Sequence, residues 1–567
     1  MNEVIGYIVG GGLKEGFRIR LTVPAETVQE GSFIVCDSGR NRYYGLVTDL
    51  QLGATDPRFA DEQPTRLQPA ISQALLGKTL YTTLNVYATL MLDTGPALGT
   101  QERLEWEQRI DQGIENPGPK PVKTVPSHHA PVRTADAGDV AEIFGQEGKG
   151  MFVVGNTIEQ GHPIRLDLNK FVKRSSGIFG ATGTGKSFLT RMVLAGLMKE
   201  NVASALVFDM HNEYSFDVQD SDKDGYVKGL KSLFGSRVQV VVLGKEQIRG
   251  QSSDLNMLIG YDKITEQDIL LLSKILNLRE TTPVVIGALV NSFGRNWFSE
   301  FMKLLPGKTE EIETDSGRIK KVPSPDSLEF WADKNNVHPA AASALHGKLI
   351  TIFRKEYMVE HSPIETVNTL IDNLENGRHV IPSFGKYDNE LDYLLVCNIL
   401  TRRLRKHWVE KTEKAYIAGT SNPRALLIAI EEAHKLLSPE ISHQTAFGTI
   451  ARELRKYFIT LLVIDQRPSG IDDEIMSQLG TRITGWLGDE DDIRAVLSGL
   501  AGREQLRGML ARLQEKQEVL LLGWGVKMPI PIRSRRYDDK FYAEINPRPG
   551  GLSDLTDAEI NSDLGFG

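Results

Sequence analysis

The chain holds only two cysteines, Cys36 and Cys397, far apart in its 567 residues. That excludes a disulfide framework and a thiolate metal cluster. It suits a reducing compartment, where a free thiol packs as a small apolar group. No run approaches the ~18 consecutive apolar residues needed to cross a bilayer. The opening Met1-Asn-Glu-Val-Ile-Gly lacks the basic-then-apolar order of a secretory signal. A soluble, cytoplasmic protein with no membrane contact is expected. Positive charge is not in excess either: 66 Lys and Arg stand against 74 Asp and Glu, a net charge of −8. This excludes a wholly basic coat for nucleic acid, but not a basic channel within an acidic exterior. No internal repeat is visible, and the length predicts several domains.

What the chain does have is Gly180-Ala181-Thr182-Gly183-Thr184-Gly185-Lys186-Ser187, the spacing G-x-x-x-x-G-K-[ST] of a phosphate loop. An apolar run, Gly177 to Gly180, precedes it, and Phe188 to Met198 is apolar at helical spacing. Strand, glycine loop and helix in that order let backbone N–H groups and a helix N-terminus converge on phosphate. Lys186 is then expected on the β- and γ-phosphates and the Ser187 hydroxyl on Mg²⁺. These residues imply binding of ATP with Mg²⁺.

Strand signals are rich from residue 1 to about 110, for instance Arg18–Val23, Ser32–Asp37 and Tyr43–Thr48, and predict a small barrel or sandwich. The N-terminal domain is expected over 1–140. A polar, proline-bearing stretch near 113–135, including Asn116 to Pro131, is expected to be a linker or exposed excursion. From 141 the pattern becomes α/β, with apolar strands at Ala205–Asp209, Val238–Leu243, Ala425–Ile430, Thr460–Ile464 and Glu518–Leu522. Such strands predict a mostly parallel sheet with helices on both faces. The core is expected in two parts, 141–255 and 381–540. An inserted helical subdomain is expected over 256–380, and a tail over 541–567 with a helix start at Thr556–Glu559. In the insertion, Thr265–Asp268 marks a helix start followed by Ile269, Leu272, Ile275 and Leu276 on one face. Gly307 to Pro325, charged and polar, is expected to be a mobile loop.

Two acids, Glu431 and Glu432, follow the apolar strand Ala425–Ile430 and precede Ala433-His434. At a strand tip the first can hold Mg²⁺ and the second can orient or deprotonate the attacking water. The next apolar strand ends in Asp465-Gln466-Arg467-Pro468-Ser469, where a polar side chain can sense the γ-phosphate.

Together these motifs resemble the HerA–FtsK superfamily of hexameric ATPases, and within it the HerA-type DNA translocases. The likeness rests on GATGTGKS, Asp209-Met-His-Asn-Glu-Tyr214, the EEAH box, Ala451-Arg-Glu-Leu-Arg-Lys456, DQRPS and the closing Pro529–Arg536 segment. It implies that the N-terminal domain is a small β-barrel. It implies a RecA-like P-loop ATPase core, with Glu432 as catalytic carboxylate, Glu431 beside the metal and Gln466 as sensor. It also implies that Asp209 and Glu213 act at the nucleotide and that Arg174 lies close to it. Arg452 or Arg455 would be the arginine finger given to a neighbouring subunit. Met210 and Asn212 replace the usual Pro and Gly of Asp-Pro-His-Gly-Glu-Tyr, Leu454 replaces the Gly of Arg-Glu-Gly-Arg-Lys, and Glu431 stands where Asp is commoner. The resemblance implies a homohexamer around double-stranded DNA, with a separate nuclease, NurA-like, sirtuin-like or other, on the N-terminal collar. DNA-end processing and anti-phage defence both fit. The rival expectations are an ATP-stabilised ring scaffold for an effector and a conjugation-type secretion ATPase. Arg402-Arg-Leu-Arg-Lys406 with Trp408 is a candidate channel lining or a solvated helix end.

Overall fold

The computed structural model describes residues 3–55, 80–219, 226–245, 253–313, 318–361 and 366–546. The expected helix start at Thr556–Glu559 lies outside them. The chain forms two compact units, one of residues 1–189, 466–469 and 476–536, the other of 190–465, 470–475 and 537–567.

The first unit begins with a closed six-stranded antiparallel barrel. Going round it are Gly16–Leu21, Val4–Gly12, Pro131–Thr134, Phe33–Ser38, Asn41–Ala54 and Leu80–Asp93, which pairs back to Gly16–Leu21. Closure leaves no free edge, and alternate residues such as Ile5, Ile19, Val47, Leu84, Val86 and Val132 fill the interior. At Gly11, φ is +109° and an added Cβ would stand 2.2 Å from the Gly16 carbonyl oxygen, so the first hairpin requires glycine there. The proline-bearing stretch is not a linker throughout. Lys120–Pro121 pairs with Leu80–Asp93, and Pro131–Thr134 is the strand that closes the barrel. Pro131 is tolerated because it starts its strand. Cys36 lies in this core, and burial pushes its thiol up to about 12, which makes it a packing group and not a nucleophile.

The rest of the first unit is a sheet in which Ser176–Phe179 runs parallel to Thr481–Thr484. Glu518–Gly523, Ile530–Ser534, Met151–Thr157 and Pro163–Asp167 then follow in antiparallel order. Arg482, 1% exposed, sits in Thr481–Thr484, where its guanidinium donates to the carbonyls of Met476, Val496 and Ser498.

In the second unit six strands are all parallel, in the order Leu255–Met257, Val238–Leu243, His379–Ser383, Ser204–Phe208, Leu426–Glu431 and Ile459–Asp465. The inserted helices lie between Leu255–Met257 and His379–Ser383 in sequence, from Glu266–Leu271 to Thr366–Glu375. Thr265 and Asp268 form a capping box at the first of them. That helix is shorter than its apolar spacing suggests. It stops at Leu271, the Ser273 hydroxyl bonds back to the Leu270 carbonyl, and the chain turns through Asn277 at φ +48°. Ile275 is left 37% exposed. In place of the expected loop, Thr309–Glu313 and Ile319–Pro323 pair as an antiparallel hairpin. Among the described residues no helix is long and apolar enough to cross a membrane.

Part of the basic run on the long helix Glu390–Ala418 is engaged within the fold. Arg402 donates at 2.7 Å to the fully buried Asp268, Arg403 to the Asn368 side chain at 3.2 Å, and Trp408 is 1% exposed. Asp268 also accepts from Thr265 and Asn398, so it joins the helical insertion to the long helix. Removing one partner of a buried ion pair leaves an uncompensated charge. Asp268→Ala should therefore lower the first urea unfolding transition by about 3 kcal/mol, whereas Lys406→Ala, whose side chain is 78% exposed, should leave it in place.

Candidate active site

The chemistry-bearing residues stand where strands end. In the first unit the strand Ser176–Phe179 runs into the phosphate loop, and Lys186 opens the helix Lys186–Glu200. Gly183 and Gly185 have φ of +83° and +84°, and nothing lies within 4 Å of where a Cβ would stand. It is the left-handed backbone, not crowding, that demands glycine at both. An added Cβ at Gly180 would meet Thr184 Oγ1 at 2.7 Å, and that hydroxyl donates to the Ala181 carbonyl at 2.8 Å. The Thr182 hydroxyl donates to the Gln466 side chain, so the expected sensor is hydrogen-bonded to the loop itself. The Lys186 ammonium is buried, and Ser187 follows it in the first helical turn. Arg174 precedes the strand and so lies at the end opposite the loop, its guanidinium 3.8 Å from the centre of the Trp524 ring.

In the second unit Glu431 ends the strand Leu426–Glu431 and is 4% exposed. Its carboxylate accepts from the Tyr214 hydroxyl at 3.1 Å, and its carbonyl from the Tyr393 hydroxyl at 2.7 Å. Burial, reinforced by the Glu431 charge, pushes both phenols well above their usual range and keeps them donors. Glu432 adopts φ +47°, a left-handed conformation costly for a side chain of this kind. The chain thus breaks from the strand between the two acids. Its carboxylate lies 3.7 Å from His434 Nδ1, and the His434 N–H donates at 2.6 Å to the fully buried Asp465. The imidazole is also bonded to Asp465, at 3.0 Å. Glu432, His434 and Asp465 bring ligand atoms within 4.8 Å of one another, an approach their ion pairing accounts for.

Asp209 is wholly buried, with Oδ1 accepting from the N–H of Glu213 at 2.7 Å and Oδ2 from Tyr214 and Ser215 at 3.1 and 2.9 Å. Burial pushes its carboxyl up while these donors oppose the shift. Its carboxylate therefore holds the turn that carries Tyr214 to Glu431. The Glu213 carbonyl accepts from Arg191 at 2.6 Å. The two finger candidates part company. Arg452 bonds Glu474 at 2.8 Å and Ser442 at 3.2 Å and lies 3.5 Å from Asp472, whereas Arg455 is exposed.

Sequence reasoning gave no role to Tyr214, Tyr393, His434 or Asp465. For the last two the available signal was strand order. Leu426–Glu431 and Ile459–Asp465 are parallel neighbours with Glu431 opposite Ile464, which sets the next residues, Glu432 and Asp465, side by side.

Residues 152–404 match the family model described as the central domain of helicase HerA. Similarity extends along the chain. It is 23% identical over 547 residues to the DNA double-strand break repair helicase HerA of Sulfurisphaera tokodaii, covering 95% of this chain and 94% of that one. The chain is similar to the HerA helicases along its length, and its residues 152–404 match their central domain. The HerA of Saccharolobus solfataricus is 24% identical over 551 residues, covering 95% and 93% of the two chains. Among solved structures, VirB4 of Thermoanaerobacter pseudethanolicus is a distant likeness, with a TM-score of 0.44 at 15% identity over 69% of this chain and 97% of that one.

In this phosphate loop, where Gly185 has φ of +84°, Gly185→Ala should cost about 1–2 kcal/mol of left-handed strain. Affinity for a fluorescent ATP analogue should fall roughly tenfold, with far-ultraviolet circular dichroism unchanged.

Proposed function

We propose that this chain is the motor subunit of an ATP-driven translocase on double-stranded DNA, a homohexamer that works with a separate nuclease docked on the N-terminal barrel. The observation that carries the reading is the pair of strand ends. One has left-handed glycines leading to Lys186 and Ser187, the other Glu431 and a left-handed Glu432. Similarity to HerA helicases over 95% of the chain supports DNA as the track.

Lys186 binds the β- and γ-phosphates of ATP, with the loop N–H groups around them. Ser187 and Glu431 offer hard oxygen donors of the kind Mg²⁺ prefers, and they would hold it, where it neutralises phosphate charge. Glu432 orients the attacking water and takes its proton, and Gln466 reads the γ-phosphate. Arg455 is the arginine finger offered to the next subunit, because Arg452 is held by Ser442, Asp472 and Glu474. Arg174, at the far end of its strand from its own loop, reaches a nucleotide only if a neighbouring subunit holds it.

The test is ATP hydrolysis with and without linear duplex DNA at two salt concentrations. A motor shows DNA stimulation that fades with salt, since phosphate contacts release counterions. Slow turnover indifferent to DNA, on an intact ring, would sink the motor and favour an ATP-stabilised scaffold. Glu432→Gln should lower kcat by roughly 10²–10⁴-fold. Arg455→Ala should lower it by roughly 10³-fold or more, and Arg452→Ala should act chiefly on thermal stability.

A further inference from the structure

His434 stands between two carboxylates of different fates. On one side is Asp465, 0% exposed, which accepts both the His434 backbone N–H at 2.6 Å and its imidazole Nδ1 at 3.0 Å. On the other is Glu432, 3.7 Å from the same Nδ1, on a residue held at φ +47°. An ordinary side chain at that φ persists only when its surroundings over-determine it. A donor fixed at both backbone and ring by a buried acid is such a surrounding. Gly470 closes the other side, where an added Cβ would come 3.2 Å from the His434 Cβ.

We propose that His434, anchored by Asp465, is a positioning residue that acts as an imidazolium and holds Glu432 in its left-handed, water-facing placement. This rests on Glu432 being the base of hydrolysis. The charged groups facing the ring are Glu432 and Lys435 on its own segment and Asp465 on the neighbouring strand. The Asp465 hydrogen bond, helped by the two acidic charges, outweighs burial and Lys435 and raises the pKa above the ordinary histidine value. The sign follows. The cation is present at low and neutral pH and is lost as pH rises through the raised pKa. The placement of Glu432 therefore weakens on the alkaline side. A neutral amide at this position can still bond Asp465 but has no charge to lose.

The experiment compares full-length wild type, His434→Gln, His434→Ala and Glu432→Gln by ATP turnover from about pH 6 to 9, with thermal unfolding of each. Wild type should lose kcat on the alkaline side. His434→Gln should show kcat about tenfold lower near neutrality, KM for ATP within about twofold, and no alkaline fall. That loss of the limb is something a purely structural histidine would not produce. His434→Gln retaining both the wild-type kcat and its alkaline limb overturns the proposal, as does a variant changed only in KM. If His434→Ala fails to fold, His434→Gln still decides. If Glu432→Gln keeps wild-type turnover, the hydrolysis reading itself falls. If Glu432→Gln is inactive and His434→Gln keeps its limb, only the role of His434 falls.

Discussion

Each parallel strand has to release the chain at its carbonyl end, and a strand buried on both faces leaves no room for a gradual exit. Three of the described strands meet this constraint with left-handed turns. Glu432 at φ +47° ends one strand, Asn212 at +55° turns the chain after another, and Gly183 and Gly185 at +83° and +84° follow a third. Chemistry collects at these points because a sharp exit exposes N–H groups and frees a side chain from the sheet. Where only backbone has to approach phosphate, glycine supplies the conformation without strain. Where a carboxylate has to be presented, the strain at Glu432 has to be met by its neighbours.

Buried aspartates supply much of that bracing. Asp209, Asp268, Asp392 and Asp465 are all fully buried, and each ties two segments together. Asp209 accepts three backbone N–H groups, Asp268 meets Arg402, Asp392 meets Lys355 and Tyr357, and Asp465 meets His434. A carboxylate without water is stable only when its lone pairs are met in this way. That sets these four bracing acids apart from Glu432. Glu432, with its side chain 15% exposed, remains within reach of solvent where Asp465 is not.

The same distinction explains what the sequence could and could not reveal. Strands such as Val238–Leu243 and Leu426–Glu431 are legible because burial on both faces forces an unbroken apolar run. His379–Ser383 and Thr481–Thr484 are equally buried but interrupted by polar residues, which the fold satisfies: His379 accepts from the Ala205 N–H and Arg482 donates to three carbonyls. Nothing in their composition marks them as interior. Pro131–Thr134 is hidden by its proline and by the prolines before it, since closure of the barrel is a long-range pairing. In the candidate site, motif spacing points to the phosphate loop and both glutamates. It cannot tell Asp209 as a turn brace from Asp209 as a ligand, nor Arg452 from Arg455. Those distinctions depend on backbone N–H groups and on Asp472 and Glu474, which reach these residues only through the fold.

The departures from the common family motifs also become intelligible in these terms. Asn212 stands where glycine is usual and keeps the left-handed φ, which asparagine tolerates better than most residues, with the Ser383 hydroxyl bonded to its side chain. Glu431, one methylene longer than the commoner Asp, would be free to wander at an open strand tip. Here the Tyr214 hydroxyl holds one carboxylate oxygen, and Tyr214 is itself placed by the three N–H bonds to Asp209. The longer acid and the altered turn therefore belong to one arrangement. Shortening Glu431 to Asp would withdraw its carboxylate from Tyr214 and leave a buried phenol without its acceptor. The substitution that restores the commoner motif should thus be unfavourable in this chain.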